Sequence, residues 1–543
     1  LFLNSIAHRF QHFSILVEYL SFLFIGIKIP AIIEDQEITK KSFYKSIQPW
    51  VFFPSASLII LFVVFTLVYQ ESVSVFFESV QTFIAAKFGW LYVIGVNVIL
   101  IFCIYLAFSR FKNIRLGGPN CKPEFSTWAW LSMLFNAGIG LVLMFYSVAE
   151  PILHFSNPPY GEAGTIEAAK NALNISYLHW GLHGWAIYAL MGLSIAFFCY
   201  NKGLPLGIRW VLYPLLGDRL KGPIGHFIDT IAVVATMFGL ATTLGLGIQH
   251  INSGLHYLFG VAEHINVQVV LIAVITIFAT ASVVSGLHKG VQVLSKIASL
   301  MAITLIVFML SVGPTLFILG STIQSTGYYL QNLFTTGTWM EVYQGTNWMG
   351  SWTVFYWAWW FAWAPFVGLF IARISKGRTI QELIMGVVLA PTVVNIVWIS
   401  IFGSTAFHIE LFGDGGITGA VNENITTALF SLLEHFPLSF FSILFVVIAG
   451  ILFFVTSSDS GSLVIDFITS GGREKTDVRL RIFWALAEGI VAATLVYGGG
   501  LIALQTGSLV TGLPVCVLML VLCYSILKAL RKHQSDSEIE DQH

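Results

Sequence analysis

Charge is what this sequence has least of. Only 10% of its 543 residues are Asp, Glu, Lys or Arg, against about 25% in soluble domains. So few ions exclude a water-exposed globular surface of this size. Cysteine is scarce too. The five (Cys103, Cys121, Cys199, Cys516 and Cys523) have no metal or disulfide spacing and read as small hydrophobes. There is no P-loop, no HExxH and no nucleophile elbow, so ATP-driven work would need a partner subunit. No cleavable signal pattern occurs, and the first span would itself direct insertion. The net charge of −1 is uninformative about partners, and no nucleic-acid partner is expected.

What the sequence has is apolar length. Hydrophobic residues make up 56% of it, in recurring runs of about 20, the signature of a polytopic helical membrane protein. Hydropathy predicts twelve spans, at 48–69, 88–108, 127–153, 176–200, 225–252, 266–287, 294–319, 348–373, 380–408, 436–461, 478–497 and 506–529. Residues 321–344 read as a helix lying on the surface. Residues 1–46 read as a non-standard start or an interfacial amphipathic segment in preference to a further span. Residues 531–543 form a short tail of mixed charge. Of the 27 Lys and Arg, all but Lys87 and Lys170 fall on the side that carries the N-terminus. The positive-inside rule then puts both termini in the cytoplasm.

The eighth span, SWTVFYWAWWFAWAPFVGLFIARISKGR, holds Trp352, Trp357, Trp359, Trp360 and Trp363. A bland anchor would keep its tryptophans at the interfaces. Tyr356, Trp360 and Trp363 share one helical face. Packing between helices accounts for such a stripe; so does a cage for a quaternary ammonium, held by ring quadrupoles. The fourth span adds Trp180, Trp185 and Tyr188, with His179 and His183 on one face. No third ligand has metal spacing, so helix–helix hydrogen bonds are the favoured role of these histidines. In the third span Gly138 and Gly140 weaken the helix, giving either close packing or an unwound stretch. Inverted-repeat transporters pair such interruptions; here the partner is the eighth span, with Pro365 and Gly368. The tenth span offers Phe453, Thr456, Ser457 and Asp459, and the fifth Thr236, Thr242 and Thr243, as oxygen ligands for a hard cation. Glu488 pairs with Arg481 or is neutral.

Three motifs, WAWWFAWAPFVGLFIARISKGRTIQE, MFYSVAEP and HWGLHGWAIYALMG, resemble the betaine/carnitine/choline transporter family, and the likeness runs over about residues 48–530. It implies an all-α integral membrane protein of twelve transmembrane helices. These form a transporter domain over 47–530 with a five-plus-five inverted repeat, LeuT-like, over about 127–319 and 348–529, after two peripheral helices. It also implies a multi-pass protein of the bacterial inner membrane, often a homotrimer, with a quaternary-ammonium substrate. By matching motif positions, Trp180, Trp185, Tyr188 and Trp360 correspond to the family's aromatic box, with Trp359 and Trp363 as further substrate contacts. Gly138, Gly140 and Val142 line the same site. Phe453, Thr456 and Ser457, with carbonyls near Ala137 and Gly140, resemble the second sodium site; Thr236, Tyr188 and Phe366 resemble the other ion site. No cofactor is implied beyond a coupling ion, Na+ or H+, and no transition metal.

Some positions depart from the family pattern. Val142 stands where sodium-coupled betaine carriers have a third glycine and a proton-driven choline carrier an aspartate. Leu240 stands where the first ion site would want a second threonine. No arginine occupies spans five or ten, so symport is favoured over exchange. The neighbouring sequence leans to choline-type members, ranking choline first, glycine betaine second and carnitine third. An intramembrane enzyme or a channel is the remoter class, since no acid/base pair can be assembled at one depth.

Overall fold

The computed structural model describes residues 43–138, 140–284, 288–473 and 476–540. Most of the 1–46 segment and the last three residues of the tail lie outside them. Among the described residues the regular structure is helical, as hydrocarbon demands of backbone that has no water to bond. In chain order the principal helices are α1 (Pro49–Val68), α2 (Gln70–Phe108), α3 (Thr127–Gly138), α4 (Leu141–Ser156), α5 (Ile166–Trp180), α6 (Leu182–Tyr200) and α7 (Pro223–Phe259). They continue with α8 (Ile265–Val284), α9 (His288–Val312), α10 (Thr315–Gly337), α11 (Thr353–Ile374), α12 (Ile380–Phe412), α13 (Ser439–Thr469) and α14 (Val478–Glu540). Among the described residues ten segments are long and apolar enough to cross a membrane, with α5 and α6 counted as one. Neither α3 nor α4 reaches that length alone. Within α14 the backbone leaves helical geometry at Gly499 and Gly500.

Burial sorts these helices. Inside their most apolar windows, 89% of Ile166–Tyr200 and of Pro223–Phe259, and 83% of Trp348–Ile374, is buried; for Ile265–Ser282 and Val293–Val312 the share is 22%. The aromatic-rich segments therefore form the centre, and α8 and α9 present mainly apolar side chains outward. Two glycines let α6 and α11 approach closely. A Cβ on Gly368 would meet Met191 Cγ at 2.3 Å, and one on Gly192 would meet Ile371 Cγ2 at 2.5 Å. Small residues commonly serve this purpose between membrane helices.

The eighth span differs from its reading as an interrupted helix. It runs unbroken from Thr353 to Ile374 through Pro365, and Gly368 serves packing against α6. The break lies before it, at Trp352 (φ −116°, ψ −82°). In the preceding loop the Glu341 carboxylate accepts from the backbone N–H groups of Thr346 (2.8 Å) and Met349 (2.7 Å). Burial pushes that carboxyl up, but these bonds and the Thr346 hydroxyl outweigh it and hold it below the ordinary value. The stretch 321–344, read as a surface helix, falls largely in α10, which buries Ile318, Ser325, Tyr329 and Leu333.

The basic end of α11 is built into the fold. Arg378 is 4% exposed, lies 4.8 Å over the Trp130 ring and donates to Phe125 O (2.8 Å) and Thr127 Oγ1 (3.1 Å). Backbone bonds pair this turn with the loop after α2: Leu116 N to Arg378 O, Gly377 N to Leu116 O and Ile380 N to Ile114 O, at 2.9–3.0 Å. Thr379 and Glu382 then close a capping box on α12. Gly377 sits at φ +80°, where a Cβ would also fall 2.3 Å from Lys122 O. Gly377→Ala should therefore destabilise the fold by about 1–3 kcal/mol, read as a lower thermal midpoint of the detergent-purified protein. An unchanged midpoint would show that the latch adjusts freely.

Candidate functional site

The four box residues come together. Trp360 on α11 faces Tyr188 (ring centroids 4.8 Å), Trp185 (5.5 Å) and Trp180 (6.3 Å), and Trp185 meets Tyr188 edge-on at 5.5 Å. Such edge and tilted pairs each contribute about 0.5–1.5 kcal/mol beyond area burial. Trp360 can lie against α6 because residue 184 is glycine: a Cβ there would sit 2.4–2.6 Å from three atoms of the indole.

A break not read from the sequence separates the box residues. At Gly181 (φ −104°, ψ −139°) α5 ends and α6 begins. Its missing Cβ is required, since one would fall 2.3 Å from Tyr177 O and 2.8 Å from the Tyr329 hydroxyl. The freed backbone groups find partners: Asn395 Nδ2 donates to Trp180 O (2.8 Å), and Leu182 N donates to the Tyr329 hydroxyl (3.2 Å). Trp180 thus stands on one helix and Trp185 and Tyr188 on the next. The only sequence signal was the glycine within HWGLHGW.

Trp359 and Trp363 both turn toward Gly239 of α7. Trp359 Nε1 donates to Gly239 O (3.3 Å), and a Cβ on Gly239 would meet Trp363 Cδ1 at 2.7 Å. Trp359 also meets Trp180 edge-on at 6.2 Å, so it joins the box. Trp363 pairs instead with Phe366 at 5.3 Å.

The third span is interrupted where its glycines predict. Helix α3 ends at Gly138, and α4 starts after an extended Gly140 (φ −145°, ψ 169°) with no side-chain cap. The side chains of Ala137 and Gly138 lie outside the described residues. A Cβ on Gly140 would meet nothing within 4 Å. Leu141 packs where Gly247 of α7 and Gly450 of α13 leave room, which sets the break beside both candidate ion helices. Val142 is buried in the first turn of α4.

The ion candidates divide. Thr456 Oγ1 donates to the carbonyls of Leu452 (3.0 Å) and Phe453 (3.2 Å), and Ser457 is half-buried beside it. Thr242 and Thr243 donate to carbonyls of their own helix, whereas the buried Thr236 Oγ1 has no partner. Leu240 packs onto Gly461 of α13. Glu488 does not pair with Arg481. Arg481 Nε lies 3.5 Å from Asp466, and Glu488 accepts from Ser458 Oγ at 3.3 Å.

The two histidines part as well. His183 turns to Asn97 Oδ1 (3.2 Å). His179 Nδ1 meets Glu150 Oε1 at 2.5 Å, and His154 Nε2 meets the same oxygen at 3.3 Å. These three residues carry the donor atoms of a metal site, all within 4.8 Å. Two ligands at 2.0–2.1 Å on a tetrahedral ion stand about 3.3 Å apart, so 2.5 Å is a hydrogen bond. The other Glu150 oxygen accepts from Trp180 Nε1 (2.9 Å) and from the Tyr356 hydroxyl. From sequence alone Glu150 had no assigned role.

Residues 50–535 match the BCCT, betaine/carnitine/choline family transporter, description. A probable glycine betaine transporter of Desulfitobacterium hafniense is 42% identical over 89% of this chain and 98% of its own length. Glycine betaine transporter OpuD of Bacillus subtilis is 42% identical over 84% and 90%. The osmo-dependent choline transporter BetT2 of Acinetobacter baylyi is 40% identical over 92% and 74%. Aromatic clustering, glycine-broken helices and these likenesses agree, and the chain belongs to the betaine/carnitine/choline family of transporters.

Proposed function

We propose that the protein is a secondary active transporter that imports a quaternary-ammonium solute, glycine betaine or choline, by symport with Na+ or H+. Alternating access would turn on a cage of Trp180, Trp185, Tyr188 and Trp360. The observation that carries this reading is the four-ring cluster astride the Gly181 break, with Trp185, Tyr188 and Trp360 buried and Trp180 half-buried. It offers aromatic faces and no fixed cation, which suits a ligand that can neither lose a proton nor donate a hydrogen bond from its ammonium. The names of the relatives support the same substrates.

The reading includes twelve crossings. Its support is that α3 and α4 together have the length for one further crossing beyond the ten long segments, and that α14 leaves helical geometry at Gly499–Gly500. A five-plus-five repeat, a homotrimeric assembly and cytoplasmic termini belong to the same reading. One ion site would use Thr456, Ser457 and Phe453 with carbonyls near Ala137 and Gly140. The other would use Thr236, Tyr188 and Phe366, and the unpartnered Thr236 hydroxyl favours it.

The start of α4 bears on substrate choice. Its first-turn N–H groups have no carbonyl to pair with inside the helix, Gly140 supplies no side-chain cap, and a helix N-terminus favours a carboxylate. This favours glycine betaine over the choline ranked first from sequence. Val142 narrows that turn. Competition by glycine betaine and by choline against labelled choline should shift toward betaine in Val142→Gly. An unmoved ratio removes Val142 from selectivity.

Two further outcomes are expected. Each desolvated cation–π contact contributes up to about 2 kcal/mol, so Trp360→Leu and Trp185→Leu should each weaken binding about tenfold or more. Unchanged affinity in both folded variants would sink the cage. In proteoliposomes, an inward Na+ or H+ gradient alone should drive accumulation. Uptake that needs only preloaded internal substrate would make the protein an exchanger.

A further inference from the structure

We propose that Glu150 is the positioning residue of the aromatic cage, fixing the Trp180 indole directly and the Trp360 indole through His179. The inference rests on the cage being the substrate site. Glu150 is fully buried in α4, part of the third span read from sequence, and an ionisable side chain inside a membrane protein is a functional candidate by default. Both of its oxygens are occupied. Oε1 faces His179 Nδ1 (2.5 Å) and His154 Nε2 (3.3 Å), and Oε2 accepts from Trp180 Nε1 (2.9 Å) and the Tyr356 hydroxyl. Indole N–H is a donor only, so Trp180 requires an acceptor at that point.

The partners lie on the elements that build the cage. Trp180 ends α5 at the Gly181 break, where no continuing helix fixes its direction. His179 precedes it, and the His179 carbonyl accepts from Trp360 Nε1 at 2.9 Å. The His179 ring stacks on Tyr356 (4.4 Å, 11° between planes), and its Nε2 meets Thr353 Oγ1 at 2.9 Å. One carboxylate on α4 therefore reaches two of the four cage rings through at most one intervening residue. A residue that only filled space would have no reason to pair with an indole at the break.

The test measures equilibrium binding of radiolabelled glycine betaine and choline to the purified full-length protein. Glu150→Gln is nearly isosteric, but it turns one acceptor oxygen into a donor. It should raise Kd at least fivefold with the number of sites per protein unchanged. Trp180→Phe keeps a ring without its N–H. In that background Glu150→Gln should have a smaller effect than in wild type, because only the route through His179 to Trp360 remains. A Kd within twofold of wild type for Glu150→Gln, or effects that multiply fully in the double variant, would overturn the assignment.

If Glu150→Gln does not fold, Tyr356→Phe and Trp180→Phe take its place. Each should weaken binding, and together they should weaken it by less than the product; two silent variants overturn the inference. Trp360→Leu run in parallel separates the two levels. If it binds like wild type, the cage reading itself fails. If it binds weakly while Glu150→Gln is silent, only the role of Glu150 falls.

Discussion

In hydrocarbon a backbone group without a partner costs several kcal/mol, and that constraint orders this fold. Where helices run unbroken it is met automatically. The chain nevertheless breaks its helical run between Gly138 and Leu141 and again at Gly181, and the second break lies within the aromatic cluster. The break at Gly181 is supported from outside its own helix. At Gly181 the Asn395 amide and the Tyr329 hydroxyl take up the freed groups. At Gly140 a Cβ would meet nothing within 4 Å, and the helix that follows starts without a side-chain cap.

The same constraint explains the company Glu150 keeps. An uncompensated carboxylate at zero exposure is strongly unfavourable, and removing partners from a buried charge typically costs 3–5 kcal/mol. Four surrounding groups from α4, α5 and α11 offset that cost. One of those groups is the Trp180 indole of the aromatic cluster, so the partners that offset the buried carboxylate also hold a ring at the Gly181 break.

Much of this was legible in the sequence because it is periodic or compositional. The long apolar segments follow from hydropathy, and the α3–α4 interruption from two glycines spaced two apart. The meeting of Trp180, Trp185, Tyr188 and Trp360 was anticipated from motif positions, and the rings do cluster. What escaped was non-local. Gly181 looks like any packing glycine until Tyr329, far along the chain, is seen against it. The Glu150 hydrogen bonds join residues 30 and 206 positions apart, a pairing no spacing rule reports. Pro365 and Gly368 suggested an interrupted helix, but proline in a membrane helix is tolerated where neighbours pack closely, and Gly368 sits against α6.

The turn at Gly377 and Arg378 gives α11 two unlike ends. At one, backbone bonds and the Arg378–Trp130 contact clamp the helix to the loop after α2. At the other, the helix starts at the non-helical Trp352, held by the Glu341 carboxylate through the short turn before it. The helix is therefore held at both ends, and Trp360, which packs where Gly184 leaves room on α6, lies between two attachments that touch none of the four clustered rings.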